Sequence, residues 1–440
     1  MIKKATSVGG NKDGFNKPEL LAPAGSYEKM VTAIHYGADA IYCGGKQYSL
    51  RAHATNFSDS ELKQVVDYSH QHGVKVYVTV NIFAHQRDFA GLADYLLHLR
   101  DIDVDGIIVS DPGIVAEARR LVPDLELHLS TQANITNGAS ALFWRSQGVS
   151  RINLARELTL SEIRGIKQEL HKAAADTELE VFVHGALCIS YSGRCLLSSY
   201  LTGRNANRGE CAHPCRYSYT LLEEKRPGQY FPVEEDDRGT YIFNSKDLCL
   251  LHALPELVRT GVDSLKIEGR MKSLFYVGGV VRVYRAALDY LCSREESRTS
   301  GSFPAGLEAT LMEELAKVGT RGGSDNFISG PPNGDAMLYH TPRLAQEYIP
   351  AGVVRNIIPA TESGQQPRVE IEFRNPVNTG EELEFLGPGL ESFFFTVQGL
   401  QGPDNNSVDR ANPGDCLQVV TDSPAHDWQV NGLIRKKLKK

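Results

Sequence analysis

The chain has 440 residues, more than one average domain uses, which points to two or three domains or to one large barrel with an appendage. A composition that is 41% hydrophobic and 23% charged can bury a large core and excludes wholesale disorder, and no stretch approaches the roughly 18 apolar residues of a membrane helix. The net charge of −7 excludes a uniformly basic nucleic-acid coat, so any polyanion site has to be a local basic patch.

Residues 1–17 read as a leader that carries positive charge but lacks the apolar core of a secretion signal, so a cytoplasmic location is expected. Short apolar β-type runs then alternate with stretches of helical periodicity. The runs fall at 19–22 (ELLA), 40–43 (AIYC), 74–80 (VKVYVTV), 106–109 (GIIV), 125–129 (LELHL), 151–154 (RINL), 181–183 (VFV) and 262–267 (VDSLKI). Helical stretches at 26–36, 58–72, 112–121, 139–147 and 161–170 separate them, and alternation at this pitch forces parallel pairing with right-handed crossovers. Eight such units predict a TIM-like (β/α)8 barrel of the α/β class over 18–300. An open doubly wound sheet is the alternative, but its G-x-G-x-x-G signature is absent from the first strand–helix turn.

Between the seventh and eighth runs lies an insertion, 185–240, far longer than an ordinary βα loop. Residues 301–343 read as a Gly/Pro-rich connector, and 344–440 as short strands (VEIEF, ELEFLG, SFFFTVQG, CLQVVTD) forming a small all-β, barrel-like domain with no good helix.

Four of the eight cysteines crowd into the insertion, as Cys188, Cys195, Cys211 and Cys215 with spacing C-x6-C-x15-C-x3-C. A disulfide framework suits small secreted chains, so metal ligation leads. Structural zinc sites favour two tight C-x2-to-4-C knuckles, and only Cys211 and Cys215 meet that spacing. An iron–sulfur cluster accepts looser intervals because its irons are separated; zinc and four free thiols remain the alternatives. Small residues such as Gly185, Ser190, Ser192, Gly193 and Gly209 would let backbone amides approach the sulfurs, or simply punctuate a loop. Cys43, Cys292 and Cys416 read as small buried hydrophobes, whereas Cys249 is a reserve ligand should Cys215 point away.

Period-two alternation places Val76, Val78, Val80, Leu125, Leu127, Leu129, Leu265 and Ile267 towards the helices, and Tyr77, Thr79, Asn81, Glu126, His128, Ser130, Gln132, Lys266 and Glu268 towards the interior and its C-terminal rim. Asn153 and, by the same logic, His184 join them. Barrel enzymes carry their chemistry at that rim. His184, Lys266 and Glu268 are the candidates for proton transfer, while Arg156, Arg270 and Lys272, with the polar Asn81 and Gln132, are candidates for holding an anion. The plainer alternatives are a buried Lys266–Glu268 pair, a hydrogen-bonded core His128 and exposed helix-cap arginines. Arg194, Arg204, Arg208, Arg216, Tyr191, Tyr200, Tyr217 and Tyr219 make the insertion basic and aromatic, as base stacking on RNA requires. The terminal IRKKLKK, with Arg435, Lys436, Lys437, Lys439 and Lys440, is either an RNA-contacting tail or a solvated one.

The segments PELLAPAG (18–25), HGALCISYSGRCLLS (184–198), NRGECAHPCR (207–216), NSKDLC (244–249) and SLKIEGRMKS (264–273) resemble the collagenase-like peptidases of family U32, most closely the branch that makes 5-hydroxyuridine in tRNA. That resemblance implies a TIM-like barrel with a 4Fe-4S cluster on Cys188, Cys195, Cys211 and Cys215. It also implies hydroxylation of the wobble uridine of tRNA, prephenate as a co-substrate and an electron-transfer partner. Similar proteins hydroxylate a cytidine of ribosomal RNA or act in ubiquinone hydroxylation, and some use a different fourth cysteine near the position of Cys249. The family name implies proteolysis, but the chain has neither H-E-x-x-H nor G-x-S-x-G, and its clustered thiols suit ligation better than nucleophilic attack. A peptidase, a zinc-stabilised RNA-binding module and a quinone-hydroxylation partner stand as the rival readings.

Overall fold

The computed structural model describes residues 17–50, 56–217, 235–236, 239–240, 245–293, 301–319, 322–331, 346–358, 368–402, 404, 406–421 and 428–438. The leader up to residue 16, Tyr219, Lys439, Lys440 and parts of the insertion and connector lie outside them.

The alternating apolar runs become strands β1 (Glu19–Pro23), β2 (Ala40–Cys43), β3 (Lys75–Val80), β4 (Gly106–Val109), β5 (Glu126–Leu129), β6 (Arg151–Asn153) and β7 (Glu178–Gly185). These pair in parallel in chain order. An unanticipated strand β8 (Asp247–Cys249) follows, and then β9 (Ser264–Ile267), which pairs in parallel with both β7 and β1 and closes an eight-stranded barrel. Strand β8 lies outside that ring, antiparallel to the end of β7, with Cys249 opposite His184 and Leu248 opposite Gly185. Polar side chains start the intervening helices: Ser58 and Thr159 form reciprocal caps with Glu61 and Glu162, and Asp111 caps the helix that Pro112 opens.

The predicted alternation decides what the barrel contains. Val76, Val78, Val80, Leu127, Leu129, Leu265 and Ile267 join the core between strands and helices, whereas Leu21, Ala40, Tyr42, Tyr77 and Ile108 form a separate apolar group. Beside it lies a buried ionic network. Arg151 contacts Glu19 at 2.5 Å and Glu178 at 2.6 Å, and Glu180 accepts from Lys266 Nζ and Asn153 Nδ2, each at 2.8 Å. The buried partner of Lys266 is therefore Glu180 and not Glu268, because Glu180 stands on the neighbouring strand while Glu268 lies beyond the end of β9. His128 is a core histidine, set edge-on to Tyr77 with Nε2 3.1 Å from Glu126.

Two further expectations change. The connector carries a helix, Ala305–Ala316, since Ala, Leu, Met and Glu dominate that stretch, Pro304 stands at its N-cap and its one glycine, Gly306, falls in the first turn. The basic terminus is not a free tail over its described part. It forms strand Leu433–Lys437, in which Arg435 is buried against Glu384 and Glu314 and Lys436 holds Glu381 at 2.9 Å. That strand and Tyr348–Ile358, Arg368–Phe373, Cys416–Thr421, Ser392–Gln401 and Glu382–Leu386 close a six-stranded antiparallel barrel around Phe385, Phe395 and Trp428. Its docking on the first barrel is polar at the centre: Tyr36 Oη donates to Leu386 O (2.7 Å) and accepts from Leu433 N (2.8 Å). Arg282 donates to Gly387 O and Glu391 O, each at 2.8 Å. Among the described residues no helix is long and apolar enough to cross a membrane.

Candidate functional site

Where β7 ends, Gly185 adopts φ +117°, and a Cβ there would lie 2.2 Å from Glu268 O. Only glycine permits this approach, so the chain can turn out of the barrel directly against the end of β9. The insertion that follows folds back over a cavity of about 560 Å³ lined by all four predicted cysteines, Cys188, Cys195, Cys211 and Cys215. None is in a disulfide. Burial pushes the Cys215 thiol up, the Arg216 guanidinium opposes that, and the Cys188, Cys211 and Cys195 thiols add to the rise. His213, in a left-handed turn between Cys211 and Cys215, directs its backbone N–H at Cys211 Sγ (3.4 Å). Cys249 is buried in β8 and is not among the cavity-lining residues.

The insertion is tied down across the mouth. Arg208 bonds both oxygens of Asp88 and Phe83 O, Phe83 N donates to Asn207 O (3.2 Å), and Asn207 Nδ2 donates to Cys195 O (3.1 Å). Ser198 Oγ accepts from Ala212 N, joining the two halves of the cysteine set.

Of the other predicted site residues, Arg156, Lys272 and Glu268 line the same cavity. Arg156 stacks on Phe182 at 3.9 Å and donates to Ala186 O; Lys272 Nζ lies 3.3 Å from the buried Asp247 carboxylate. Tyr42 Oη donates to Glu268 Oε2 at 3.2 Å. The remaining five stand back from it. Lys266 lies deeper in the barrel, over the Tyr42 ring at 4.6 Å. Arg270 is buried, donating to Thr79, Ser49 and Asn56. Asn81 accepts from Leu50 N, and the Gln132 side chain packs beneath Gly193.

His184, expected at the mouth, instead packs against Tyr276 and Tyr284 of the helix Leu274–Ser293, because the β7–β9 register shifts between Lys266 and Ile267. Its Nδ1 is 3.4 Å from Tyr284 Oη, its Nε2 has no partner among the described residues, and burial lowers its pKa to about 4. Sequence reasoning missed the buried Asp247, the Asp88 clamp, Gly319 of the connector and Gln346 beyond it, the last two of which also line the cavity. Asp247 was within reach, since it sits in the NSKDLC segment; Gln346 carried no signal.

The donor set is soft and all-thiol, which suits zinc, cuprous ion or an iron–sulfur cluster. Four free thiols lining one cavity supply the ligands that such a group needs.

Comparison with known proteins matches residues 25–338 to peptidase family U32 and residues 346–435 to the peptidase family U32 C-terminal domain. The chain belongs to peptidase family U32. It is 40% identical to the tRNA hydroxylation protein P1 of Bacillus subtilis over 95% of this chain and 94% of that one. With the tRNA hydroxylation protein P of Escherichia coli it shares 33% identity, over 94% and 95% of the two chains. It is also 33% identical to the 23S rRNA 5-hydroxycytidine C2501 synthase of Escherichia coli, over 84% of this chain and 52% of that one.

Proposed function

We propose that this U32 protein hydroxylates C5 of the wobble uridine of tRNA, with a 4Fe-4S cluster on Cys188, Cys195, Cys211 and Cys215 and prephenate as co-substrate. The observation that carries this reading is that four thiols from one insertion share a cavity with three cations, Arg156, Arg216 and Lys272, and the Glu268 carboxylate at the barrel mouth. The RNA hydroxylation named for three similar proteins supports the reaction class. Bound there, the cluster would supply one-electron transfer beside the substrate.

The chain's own residues do the positioning. Arg156, held flat by Phe182 and Ala186 O, offers a guanidinium to a carboxylate of a small anion, and Lys272 offers a second cation. Glu268 accepts a proton at the cavity wall, oriented by the Tyr42 hydroxyl, while Lys266 acts on it through the Tyr42 ring. His184 stands one layer back, neutral near pH 7.

The test is nucleoside mass spectrometry of tRNA from a strain lacking the gene. Nucleosides derived from 5-hydroxyuridine should disappear and return with the wild-type gene but not with Cys195→Ala. Their unchanged presence in the deletion strain would remove the reading.

A further inference from the structure

The surface around the cysteine cavity is unlike the rest of the molecule. Among the described residues, half of the large apolar side chains that stand exposed belong to the insertion or the loop facing it: Ile189, Tyr191, Leu196, Tyr200, Leu201, Tyr217 and Met271. Tyr191, Ile189 and Met271 line the cavity while remaining exposed, Tyr191 at 63%. Tyr200, 87% exposed, projects from the short helix Leu197–Thr202, which packs on the Pro214–Arg216 turn beside Cys215. Tyr217 follows directly on that turn. A soluble surface does not usually gather large apolar groups without a partner for them.

Charge narrows what the partner is. The chain carries −7 overall, yet among the described residues the cavity is lined by the cations Arg156, Arg216 and Lys272 against the one carboxylate Glu268, with the buried Asp247 behind Lys272. Arg194 and Arg204 add exposed cations on the same insertion. Aromatic faces interleaved with cations suit bases carried on a polyanionic backbone. They do not suit a paired helix, because the C5 edge of a pyrimidine in A-form RNA lies in a deep, narrow groove that side chains cannot enter.

We infer that Tyr191, Tyr200 and Tyr217 form a stacking platform for a single-stranded RNA loop, from which one unstacked pyrimidine enters the cysteine cavity. This rests on the RNA reading above and adds to it the recognition surface and the conformation of the substrate. Extruding a base costs a few kcal/mol, and stacking of its neighbours on the exposed rings offsets that cost. The exposed arginines neutralise the backbone without reading sequence.

Fluorescence anisotropy with the full-length protein tests this without any turnover. The probes are a short RNA stem–loop and the same sequence annealed into a continuous duplex. The stem–loop should bind at least tenfold tighter than the duplex. Tyr191→Ala and Tyr200→Ala should each weaken loop binding by roughly 5- to 100-fold, the factor that about 1–3 kcal/mol of stacking represents. Tyr191→Phe and Tyr200→Phe, which keep the ring, should bind like wild type, and Arg194→Ala should flatten the salt dependence. Both tyrosines are exposed, so the fold should survive their replacement. Equal affinity for loop and duplex, or wild-type affinity in both alanine variants, would overturn the inference while leaving tRNA as substrate. Failure of the wild-type protein to bind either RNA would remove both the inference and the reading beneath it. Binding as expected in a protein that leaves cellular nucleosides unchanged would uphold the platform and reject the proposed reaction.

Discussion

The Arg208 guanidinium grips the Asp88 carboxylate with two prongs, Nη1 to Oδ2 at 2.7 Å and Nη2 to Oδ1 at 3.0 Å, so a residue three positions before Cys211 is fixed to the loop after β3. Removing Asp88 leaves the half-buried Arg208 with Phe83 O but without a counter-charge. Asp88→Ala is expected to loosen the insertion by roughly 1.5–3 kcal/mol, the worth of hydrogen bonds to charged groups. Faster tryptic cleavage within 186–217 at neutral pH, with an unchanged melting temperature for the barrel, is the readout. The hydrogen bonds from Arg208 hold the Asp88 carboxyl at about 2, below its ordinary value near 4. The clamp's contribution is therefore complete above about pH 4 and is lost as pH falls towards 2. The difference between wild type and variant should shrink over that interval and be constant from pH 5 to 8.

Glu180 and Lys266 form a buried ion pair inside the barrel, and Glu180 also answers Arg151 and Asn153. Glu180→Gln leaves Lys266 charged in a site poor in water and should cost about 3–5 kcal/mol in urea unfolding. The double variant Glu180→Leu/Lys266→Met should be more stable than either single variant. A double variant that loses the sum of the two single losses would show that the pair does not act as a unit.

His184 makes a pH prediction of definite sign. Its folded-state pKa near 4 lies below the ordinary 6.5, so the unfolded chain binds the extra proton between those values. Stability should be unaffected by this group above pH 6.5 and fall as pH drops from 6.5 towards 4. His184→Gln should flatten the slope of unfolding free energy against pH by up to one proton over that range. The half-buried His35, lowered to about 4 by desolvation, supplies a second proton that the variant leaves in place.

The cavity distinguishes the two cysteines that compete for the fourth ligand position. Cys215 lines it and Cys249 does not, and burial raises the thiol pKa of Cys249 beside Tyr284. After anaerobic purification, Cys215→Ala should lose bound iron and visible absorbance, while Cys249→Ala keeps both. The opposite pattern would reassign the ligand set.

The architecture of the first barrel was legible because period-two alternation and strand–helix spacing both follow from local geometry. Val76, Val78 and Val80 could face only one way once the sheet was parallel and helix-covered. The cysteine cavity was legible for a different reason, since all four thiols sit on one loop and need no long-range packing to meet. His184 defeated the same logic, because β7 carries an extra residue there: Val183 is skipped between the pairs Phe182–Lys266 and His184–Ile267, which reverses the side that alternation assigns to His184. The Glu180 partner of Lys266 and the place of Gln346 at the cavity depend on which segments become neighbours in space. Arg435 and Lys436 looked like a solvated tail because their carboxylate partners, Glu314, Glu384 and Glu381, lie 51 to 121 residues away in the chain.

Tyr36 belongs to the first barrel, yet its hydroxyl completes two backbone hydrogen bonds of the second, to Leu386 and Leu433. Fragments cut between the halves would each carry a raw face, with orphaned peptide groups on one side and a buried phenol laid open on the other. Each half expressed alone should therefore unfold at a lower temperature than the same half within the whole protein, and thermal melts of the two fragments beside the full chain would show it.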